Sequence, residues 1–362
     1  MTDGAALAQA YAQEVVDPLV DAAFPRLRRS TARLGTGSDV LGLDDAVSRD
    51  HDWGLRLTLV VPEDAVAAVD ALLSSRLPAG FRDHPVRFAT TWDGEVRHRV
   101  EVCSAADLLR SRTGMDLAHP PRLVDPLAMT GQAALELTAG PVLRDDDGVL
   151  ARLRDRVAMP ADVRRWAVAS AWDRLEQELP FVGRTGDRGD EAGSRVIAAR
   201  LAATAMRLGF LLEGRWAPYA KWLGTAFAAL PRAGALTLLL ERAVAAGSWR
   251  EREEALATAI DALADLQAGA GLPSLRPATA QFWNRPFRGV RGLAATTLEA
   301  VEDAVLRGVP LVGTPDLWSD DVRLLVDHGL RRRMTAALLL PGRPSDTASV
   351  GTGGLPPDGG IP

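Results

Sequence analysis

Two short groups of residues near the N-terminus have the chemistry to bind a phosphorylated ligand and a metal ion. Gly37-Ser38 offers backbone N–H groups and a hydroxyl, which are donors that can hold a phosphate. After eleven intervening residues, Asp50 and Asp52 stand at positions i and i+2. Hard divalent cations prefer carboxylate oxygens, and Mg²⁺ usually takes one or two carboxylates together with substrate phosphates. The spacing therefore predicts a site that handles a nucleoside triphosphate.

A β-strand over residues 50–61 would present both aspartates on one face. Polar and apolar residues alternate in this segment, which predicts one open and one buried face. Asp50 and Asp52 fall on the open face, where their like charges repel unless a cation lies between them. His51 falls on the other face and is interpreted as a core histidine. Two solvated aspartates at a strand end are the alternative interpretation.

Glu101 is predicted to supply a third carboxylate. It lies on the polar face of a second alternating segment and would converge with Asp50 and Asp52 if the strands share a sheet. Three carboxylates can hold two metal ions, one at the attacking oxygen and one at the leaving phosphate. Glu101 could instead deprotonate the acceptor hydroxyl. A cross-strand ion pair with Arg97 or Arg99 is the structural alternative.

Lys221 is the only lysine in a chain that otherwise uses arginine for positive side chains. It follows Tyr219, one of two tyrosines, and precedes Trp222. A compact ammonium differs from a planar guanidinium and can meet a β- or γ-phosphate as a point charge. We expect Lys221 to bind phosphate across a cleft from Ser38, with Tyr219 beside the base. A surface lysine and two core aromatic residues are the alternatives.

Arginines near these segments are further candidates for neutralising phosphate charge. Arg49 directly precedes the predicted metal strand, and a loop salt bridge to Asp44 or Asp45 is an equal interpretation. Arg207 and Arg215 come shortly before the lysine and are weaker candidates.

The elements expected to position these residues form a small sheet followed by helices. Apolar spacing predicts helices over residues 5–28 and 63–77. Alternation predicts a hairpin of residues 86–91 and 96–103, turning at Asp93-Gly94.

The composition changes after about residue 125, where the chain becomes rich in Ala, Leu and Arg. We predict an α+β protein with a catalytic sheet domain over residues 1–125 and a helical domain over 126–340 that closes the nucleotide cleft. Residues 183–193 are polar and Gly-rich and are predicted to be a loop. Residues 341–362 have too little apolar content to fold and are expected to be a disordered tail.

The bulk composition limits the partners. The 362 residues carry a formal net charge of -5, which disfavours a general nucleic-acid binder without excluding a local basic groove. Cys103 is the only cysteine, so no intrachain disulfide is expected, and a reducing compartment follows. No apolar run reaches the roughly 20 residues of a spanning helix, and the start lacks a secretory pattern. We expect a cytoplasmic protein.

Taken together, these motifs resemble the DNA polymerase beta-like nucleotidyltransferase superfamily. The closer resemblance is to a bacterial group of uncharacterised nucleotidyltransferase-like proteins. The shared motifs are GSD-VLG-DD-SRDHDWG over Gly37–Gly54, PYxKW over Pro218–Trp222 and RPF over Arg285–Phe287. One departure is that Gly313–Asp320 stands where the resemblance leads us to expect a polar Gly-Ser…Asp-Gln stretch.

The resemblance implies a small mixed nucleotidyltransferase sheet with flanking helices, followed by a helical half that closes over the nucleotide. By the same resemblance, Ser38 and the Gly37 backbone would contact the triphosphate. Asp50 and Asp52 would bind Mg²⁺ (or Mn²⁺).

The leading hypothesis is an Mg²⁺-dependent nucleotidyltransferase. An acceptor hydroxyl would attack the α-phosphorus of an NTP and release pyrophosphate, with catalysis by positioning and charge neutralisation. The acidic chain favours a small-molecule or protein acceptor over RNA. One alternative is a non-catalytic module that binds a nucleotide or docks a partner in the same cleft. Another is a helical scaffold with no pocket between its halves.

Overall fold

The computed structural model describes residues 4–45, 47 and 53–340. Arg49, Asp50, His51 and Asp52 lie outside the described residues, and so does the predicted tail. The chain forms two compact units, which are described separately here. The first contains residues 4–125 and 133–158, and the second contains residues 126–132 and 159–340.

The first unit combines short helices with a mixed sheet. Along the chain it contains α1 (Gly4–Tyr11), α2 (Asp17–Ala23), β1 (Ser30–Ala32), β2 (Arg56–Val60), α3 (Val66–Arg76), β3 (Gly80–Phe81), β4 (His84–Pro85), β5 (Arg87–Thr90), β6 (Asp93–Cys103) and α4 (Ala105–Thr113). A π-helical turn, Ala12–Val16, joins the first two helices, and a 3₁₀ turn, Glu63–Ala65, precedes the third. Next come α5 (Val124–Leu127), α6 (Gly131–Thr138), β7 (Val142–Asp145) and α7 (Val149–Arg156).

Five of these strands form one sheet in the order β5-β6-β2-β1-β7. β2 and β6 run parallel, whereas the other neighbouring pairs are antiparallel. The β2–β6 register places Thr58 opposite Glu101. The sheet is therefore mixed, which confirms the α+β fold class. It also confirms that the strand following the predicted aspartates adjoins the strand that carries Glu101.

One face of the sheet is covered by α1, α2 and α3. The buried apolar side chains of this core come from the helices and from the two central strands: Leu7, Tyr11, Val16, Val20, Leu55, Leu57, Leu59, Val69, Leu73 and Val100. The apolar alternation of the first strand and the helical spacing on either side of it thus produce the layers that the sequence predicts.

Three details of the sheet differ from the sequence prediction. Residues 53–55 are not strand, and β2 begins only at Arg56. Gly54 has a φ of +151°, which is not strand geometry and which favours glycine. An added Cβ at this position would also lie only 3.1 Å from the ring of Phe88. The hairpin turns at Thr91-Trp92, because Thr90 pairs with Asp93. The alternation also places Thr58 on the same face as Asp50 and Asp52, which was predicted to be open, but Thr58 is buried.

The second unit is predominantly helical, as the sequence predicts. Its elements are α8 (Ala161–Gly186), α9 (Glu191–Leu212), α10 (Ala220–Ala228), α11 (Gly234–Ala245), α12 (Trp249–Gly269), β8 (Thr279–Gln281), β9 (Arg288–Val290), α13 (Leu293–Leu298), α14 (Ala304–Arg307), α15 (Pro315–Trp318), α16 (Val322–Val326) and α17 (His328–Leu338). A single buried core lies among α8 to α13. Among the described helices, none is both long and apolar enough to span a membrane.

The predicted loop over residues 183–193 is mostly helix. α8 continues to Gly186, and α9 begins at Glu191. Both Gly183 and Gly186 lie within the helix, at positions where other side chains pack closely. An added Cβ would lie 2.6 Å from Phe287 and from Glu253 Oε1 at Gly183, and 2.2 Å from Trp249 at Gly186. These glycines therefore serve close packing rather than chain reversal, which composition alone does not distinguish.

The chain first leaves the first unit after Asp125. Residues 133–158 then return to that unit, whereas the sequence prediction placed them in the helical domain. The reason is β7, which pairs with β1 at the sheet edge. The Ser30 hydroxyl donates to Asp145 Oδ1 at 2.6 Å and holds this edge strand in place.

Candidate functional site

The loop that carries Gly37 and Ser38 is held by a buried ion pair. Arg33 Nε donates to Asp39 Oδ2 at 2.7 Å, and Nη2 donates to Oδ1 at 2.9 Å. The two side chains are 1% and 2% exposed. The same guanidinium also donates to the carbonyl oxygens of Leu34 and Thr36. Because a bidentate pair fixes both distance and orientation, the turn has a preset shape.

Gly37 and Ser38 occupy the tight part of this turn. Gly37 has a φ of +139°, and a Cβ at this position would lie 2.2 Å from Asp39 Oδ1, so a side chain does not fit. The Ser38 carbonyl accepts from the N–H groups of Leu41 and Leu43. Within the described part of the chain, the Ser38 hydroxyl makes no hydrogen bond. The hydroxyl is therefore available to a ligand.

Asp44 joins this loop to the residue that follows the predicted metal segment. Its Oδ2 accepts from the Gly4 N–H at 2.8 Å and from Trp53 Nε1 at 3.3 Å. Trp53 also meets His84 edge to face, with ring centroids 5.2 Å apart. On the strand beyond, Arg56 Nη1 donates to the Thr36 carbonyl at 3.1 Å. The loop and the start of β2 thus form one hydrogen-bonded scaffold.

Glu101 lies beside β2 and is held by an arginine from α4. Arg112 Nη2 donates to Glu101 Oε2 at 2.6 Å, and the Thr58 hydroxyl donates to the same oxygen at 3.3 Å. Arg112 also lies near Glu136, with its Nε 3.8 Å from Oε2. Oε1 of Glu101 has no hydrogen bond within the described residues.

The arginines expected as alternative partners of Glu101 bind another carboxylate. Arg97 Nη2 and Arg99 Nη1 reach Asp93 Oδ2 at 2.7 and 2.8 Å. Hydrogen bonds from both guanidinium groups hold the pKa of Asp93 well below its usual range. The alternative interpretation, in which Glu101 pairs with Arg97 or Arg99, is therefore not what the structure shows, and Asp93 is a structural residue at the hairpin turn.

A serine and a histidine of the first unit are in contact, which was not predicted from the sequence. Ser74 Oγ lies 3.0 Å from His98 Nε2, and Asp70 Oδ1 lies 3.5 Å from the same nitrogen. A catalytic triad needs the nucleophile and the carboxylate on opposite ring nitrogens. Burial also lowers the pKa of His98. The arrangement is therefore a buried polar contact and not a nucleophilic site.

Tyr219 and Lys221 belong to the second unit, at the start of α10. Tyr219 is the residue preceding the helix and is 40% exposed, so it is not a core aromatic residue. Lys221 is exposed, and its Nζ lies 5.0 Å from the centroid of the Trp222 ring. Among the described residues the lysine forms no ion pair. Its ammonium is therefore open to a ligand, with an aromatic face beside it.

Of the predicted site residues, Gly37, Ser38 and Glu101 lie in the first unit, and Tyr219 and Lys221 in the second. Arg49, Asp50 and Asp52 fall outside the described residues. Across residues 4–45, 47 and 53–340, no three His, Cys, Asp or Glu side chains are grouped as metal ligands.

Three charged residues that shape the first unit were not predicted from the sequence: Arg33, Asp39 and Arg112. Asp44 was named only as a possible partner of Arg49, and the structure shows it accepting from Gly4 and Trp53. Asp39 carried a signal, because it directly follows Gly37-Ser38 in the motif. Arg33 and Arg112 carried none, because an arginine's burial and its partner depend on the tertiary fold.

Comparisons with known proteins give two findings. Residues 127–223 match the model of a family described as a domain of unknown function, DUF4037. A nucleotidyltransferase-like protein from Exiguobacterium sibiricum is a solved structure with similarity to this chain, at 12% identity and a TM-score of 0.32. That similarity covers 72% of this chain and 74% of the other. Among curated proteins, none matches this chain.

Proposed function

We propose that this protein transfers a nucleotidyl group from an NTP to an acceptor hydroxyl and releases pyrophosphate. One observation carries the proposal. The Gly37-Ser38 turn is preset by a buried ion pair, leaves its hydroxyl without a partner in the described chain, and is joined through Asp44 to Trp53. Trp53 directly follows Asp52. A phosphate-binding turn and a carboxylate pair on one scaffold have the composition that nucleotidyl transfer needs.

In this proposal Gly37 and Ser38 hold the triphosphate by backbone N–H groups and the serine hydroxyl. Asp50 and Asp52 hold Mg²⁺ or Mn²⁺, for which carboxylate oxygens are suitable ligands. When bound, the metal ion supplies charge neutralisation at the triphosphate. The turn's role is to orient the phosphates without reorganising, because its shape is set before the ligand arrives.

Glu101 is proposed to act through Oε1, as a further metal ligand or as the base for the acceptor hydroxyl. Both of its hydrogen bonds use Oε2, from Arg112 and Thr58, which orients the carboxylate and leaves the other oxygen accessible. Tyr219 and Lys221 remain proposed ligands of the base and of a phosphate, and Arg49 remains a proposed neutralising residue. The acidic chain favours a small-molecule or protein acceptor over RNA.

A thermal-shift panel tests nucleotide binding directly. The full-length protein is heated with each of the four common NTPs, with and without Mg²⁺. A ligand that binds only the native state raises the melting temperature by mass action. We expect at least one NTP to stabilise the protein only when Mg²⁺ is present, and the ranking of the four reports the preferred base. No stabilisation by any NTP at millimolar concentration would refute the proposal.

A second candidate is binding without transfer. It is favoured by the 2.6 Å ion pair between Arg112 and Glu101, because a carboxylate oxygen that already accepts from a guanidinium is not free to bind a metal ion. Both candidates predict nucleotide-dependent stabilisation. They differ in product formation, because only transfer releases pyrophosphate from an α-labelled NTP and leaves the label on an acceptor.

A further inference from the structure

A second candidate site lies wholly within the second unit, in an open pocket beside α9. The pocket encloses about 460 Å³, including space open to solvent. The apolar part of the lining consists of Met159, Ala167, Ala171, Phe210, Leu211 and Leu317.

Two arginines give this pocket a positive side. Arg207 and Arg215 both line it, together with Trp216. Arg207 has one ion-pair partner in the described chain, Asp320, at 3.6 Å, and that aspartate is 87% exposed. Arg215 is exposed and forms no ion pair among the described residues. A long contact to a solvated carboxylate is worth little, so both guanidinium groups are available to an anion.

The pocket lining also contains an acidic residue, Asp316, which already accepts a hydrogen bond from the backbone. Asp316 Oδ2 accepts from the Gly131 N–H at 2.9 Å. Burial raises the pKa of Asp316, opposed by that hydrogen bond and by the charges of Arg207 and Arg331. One of its two carboxylate oxygens is therefore already occupied by a hydrogen bond within the protein.

The walls of the pocket are fixed by other contacts within the unit. Arg174 Nη1 donates to the Leu317 carbonyl at 2.9 Å, and Trp318 Nε1 donates to the Gly313 carbonyl at 3.1 Å. Gly131 packs so closely on Ala217 that an added Cβ would lie 1.9 Å from its carbonyl oxygen. The pocket is therefore largely formed before a ligand arrives.

We propose that this pocket binds a small oxyanion, a carboxylate or a phosphate monoester, that carries a flat apolar body. The guanidinium groups match the planar or tetrahedral oxyanion. The apolar wall and Trp216 match the body. The proposal goes beyond the proposed transfer reaction and does not depend on it.

Three small probes test this assignment on the full-length protein by calorimetry and saturation-transfer NMR: phenyl phosphate, phenylacetate and the neutral benzyl alcohol. We expect at least one anion to bind with a Kd on the order of 1 mM, which is typical of fragments of this size. The neutral alcohol is expected to bind at least about tenfold more weakly, since it lacks the charge-assisted hydrogen bonds. The tighter anion identifies the headgroup.

Variants locate the binding. Arg207→Gln and Arg215→Gln should each weaken the anion about tenfold, whereas Arg195→Gln, on the exposed side of the same helix α9, should change it less than twofold. Circular dichroism checks whether each variant folds. If Arg207→Gln does not fold, the Arg215→Gln variant is used alone, because Arg215 is exposed and its replacement should not disturb the fold. Asp52→Asn should leave probe binding unchanged. The proposal is overturned if neither anion binds, if the alcohol binds as tightly, if the two pocket variants bind like the wild type, or if Asp52→Asn abolishes binding.

Discussion

Arg33 and Asp39 form a bidentate ion pair directly beneath the Gly37-Ser38 turn, with both side chains almost fully buried. The pair connects the end of β1 to the middle of the loop. It replaces water as the partner of both charges, so the shape of the turn and the stability of the first unit depend on the same contact.

Removing the negative partner should destabilise the first unit. Asp39→Asn leaves the Arg33 charge buried without its counter-ion, and breaking such a pair destabilises proteins by about 3–5 kcal/mol. Urea denaturation combined with hydrogen exchange of residues 30–45 measures the loss. The control is Asp107→Asn, whose exposed pair with Arg110 at 3.2 Å should contribute less than about 1 kcal/mol. Equal effects of the two variants would show that the buried pair is not structurally important.

Asp52→Asn should abolish transfer and metal-dependent NTP binding without unfolding the protein. An amide is a weaker ligand for a hard cation than a carboxylate, and the loss of an electrostatic contact in the transition state lowers kcat by about 100-fold or more. A radiolabelled-NTP transfer assay measures turnover. Asp64→Asn, an exposed aspartate of the same unit, is the matched control. Full activity of the Asp52 variant would mean that the metal assignment is wrong.

Glu101→Gln separates a catalytic carboxylate from a structural one. The ion pair with Arg112 is partly exposed, so its loss should lower the free energy of unfolding by less than about 1 kcal/mol. If Oε1 is a metal ligand or a base, turnover falls by about 100-fold or more while stability is nearly kept. We expect that result. Turnover equal to wild type would leave Glu101 as no more than the partner of Arg112.

Lys221→Arg should weaken NTP binding about threefold to tenfold, because a planar guanidinium does not reproduce a compact ammonium as a phosphate ligand. Calorimetry with the preferred NTP and Mg²⁺ measures the affinity. Lys221→Met removes the charge altogether and should weaken binding further. Arg232→Gln, elsewhere in the second unit, serves as a control that removes a charge already paired with Glu213. An unchanged affinity in both lysine variants would make Lys221 an ordinary surface residue.

The second unit should become less stable as the pH rises from about 4.5 to about 7. Burial raises the pKa of Glu176 and of Glu253 from 4.5 to about 7, opposed by hydrogen bonds from the Ala294 and Arg288 N–H groups. In this window the folded state binds more protons than the unfolded state, so stability falls as the pH rises. Below 4.5 both states are protonated, and the stabilising contribution is complete.

Melting curves from pH 4 to 8 measure this effect. Glu253→Gln should flatten the pH dependence, because it removes one of the groups that lose a proton. Glu254→Gln on the same helix is the control, since that residue is exposed. A melting temperature that increases over this pH range in the wild type would contradict the prediction.

Patterns in the sequence were sufficient for the elements with strong periodicity. Alternation located β2 and β6, and apolar spacing located α1 to α3, because each signal comes from one element burying one face. The prediction wrongly included residues 53–55 in the strand. The apolar alternation continues through Gly54, but the positive φ of this glycine departs from strand geometry, and β2 begins only after it. The helical Gly183 was predicted to be a loop residue because its packing neighbours Phe287 and Glu253, which leave no room for a Cβ, are distant in sequence.

For the candidate site, the sequence by itself determined which side chains can take part: a glycine and a serine for phosphate, carboxylates for a cation, and one lysine. Only the tertiary structure decided what holds them. Arg33 pairs with Asp39, and Arg112 rather than Arg97 pairs with Glu101, because the fold of the loop after β1 and the packing of α4 on the sheet decide which charges meet. Residue type and local spacing determine chemistry and periodicity, whereas ion pairing depends on distances in the folded chain.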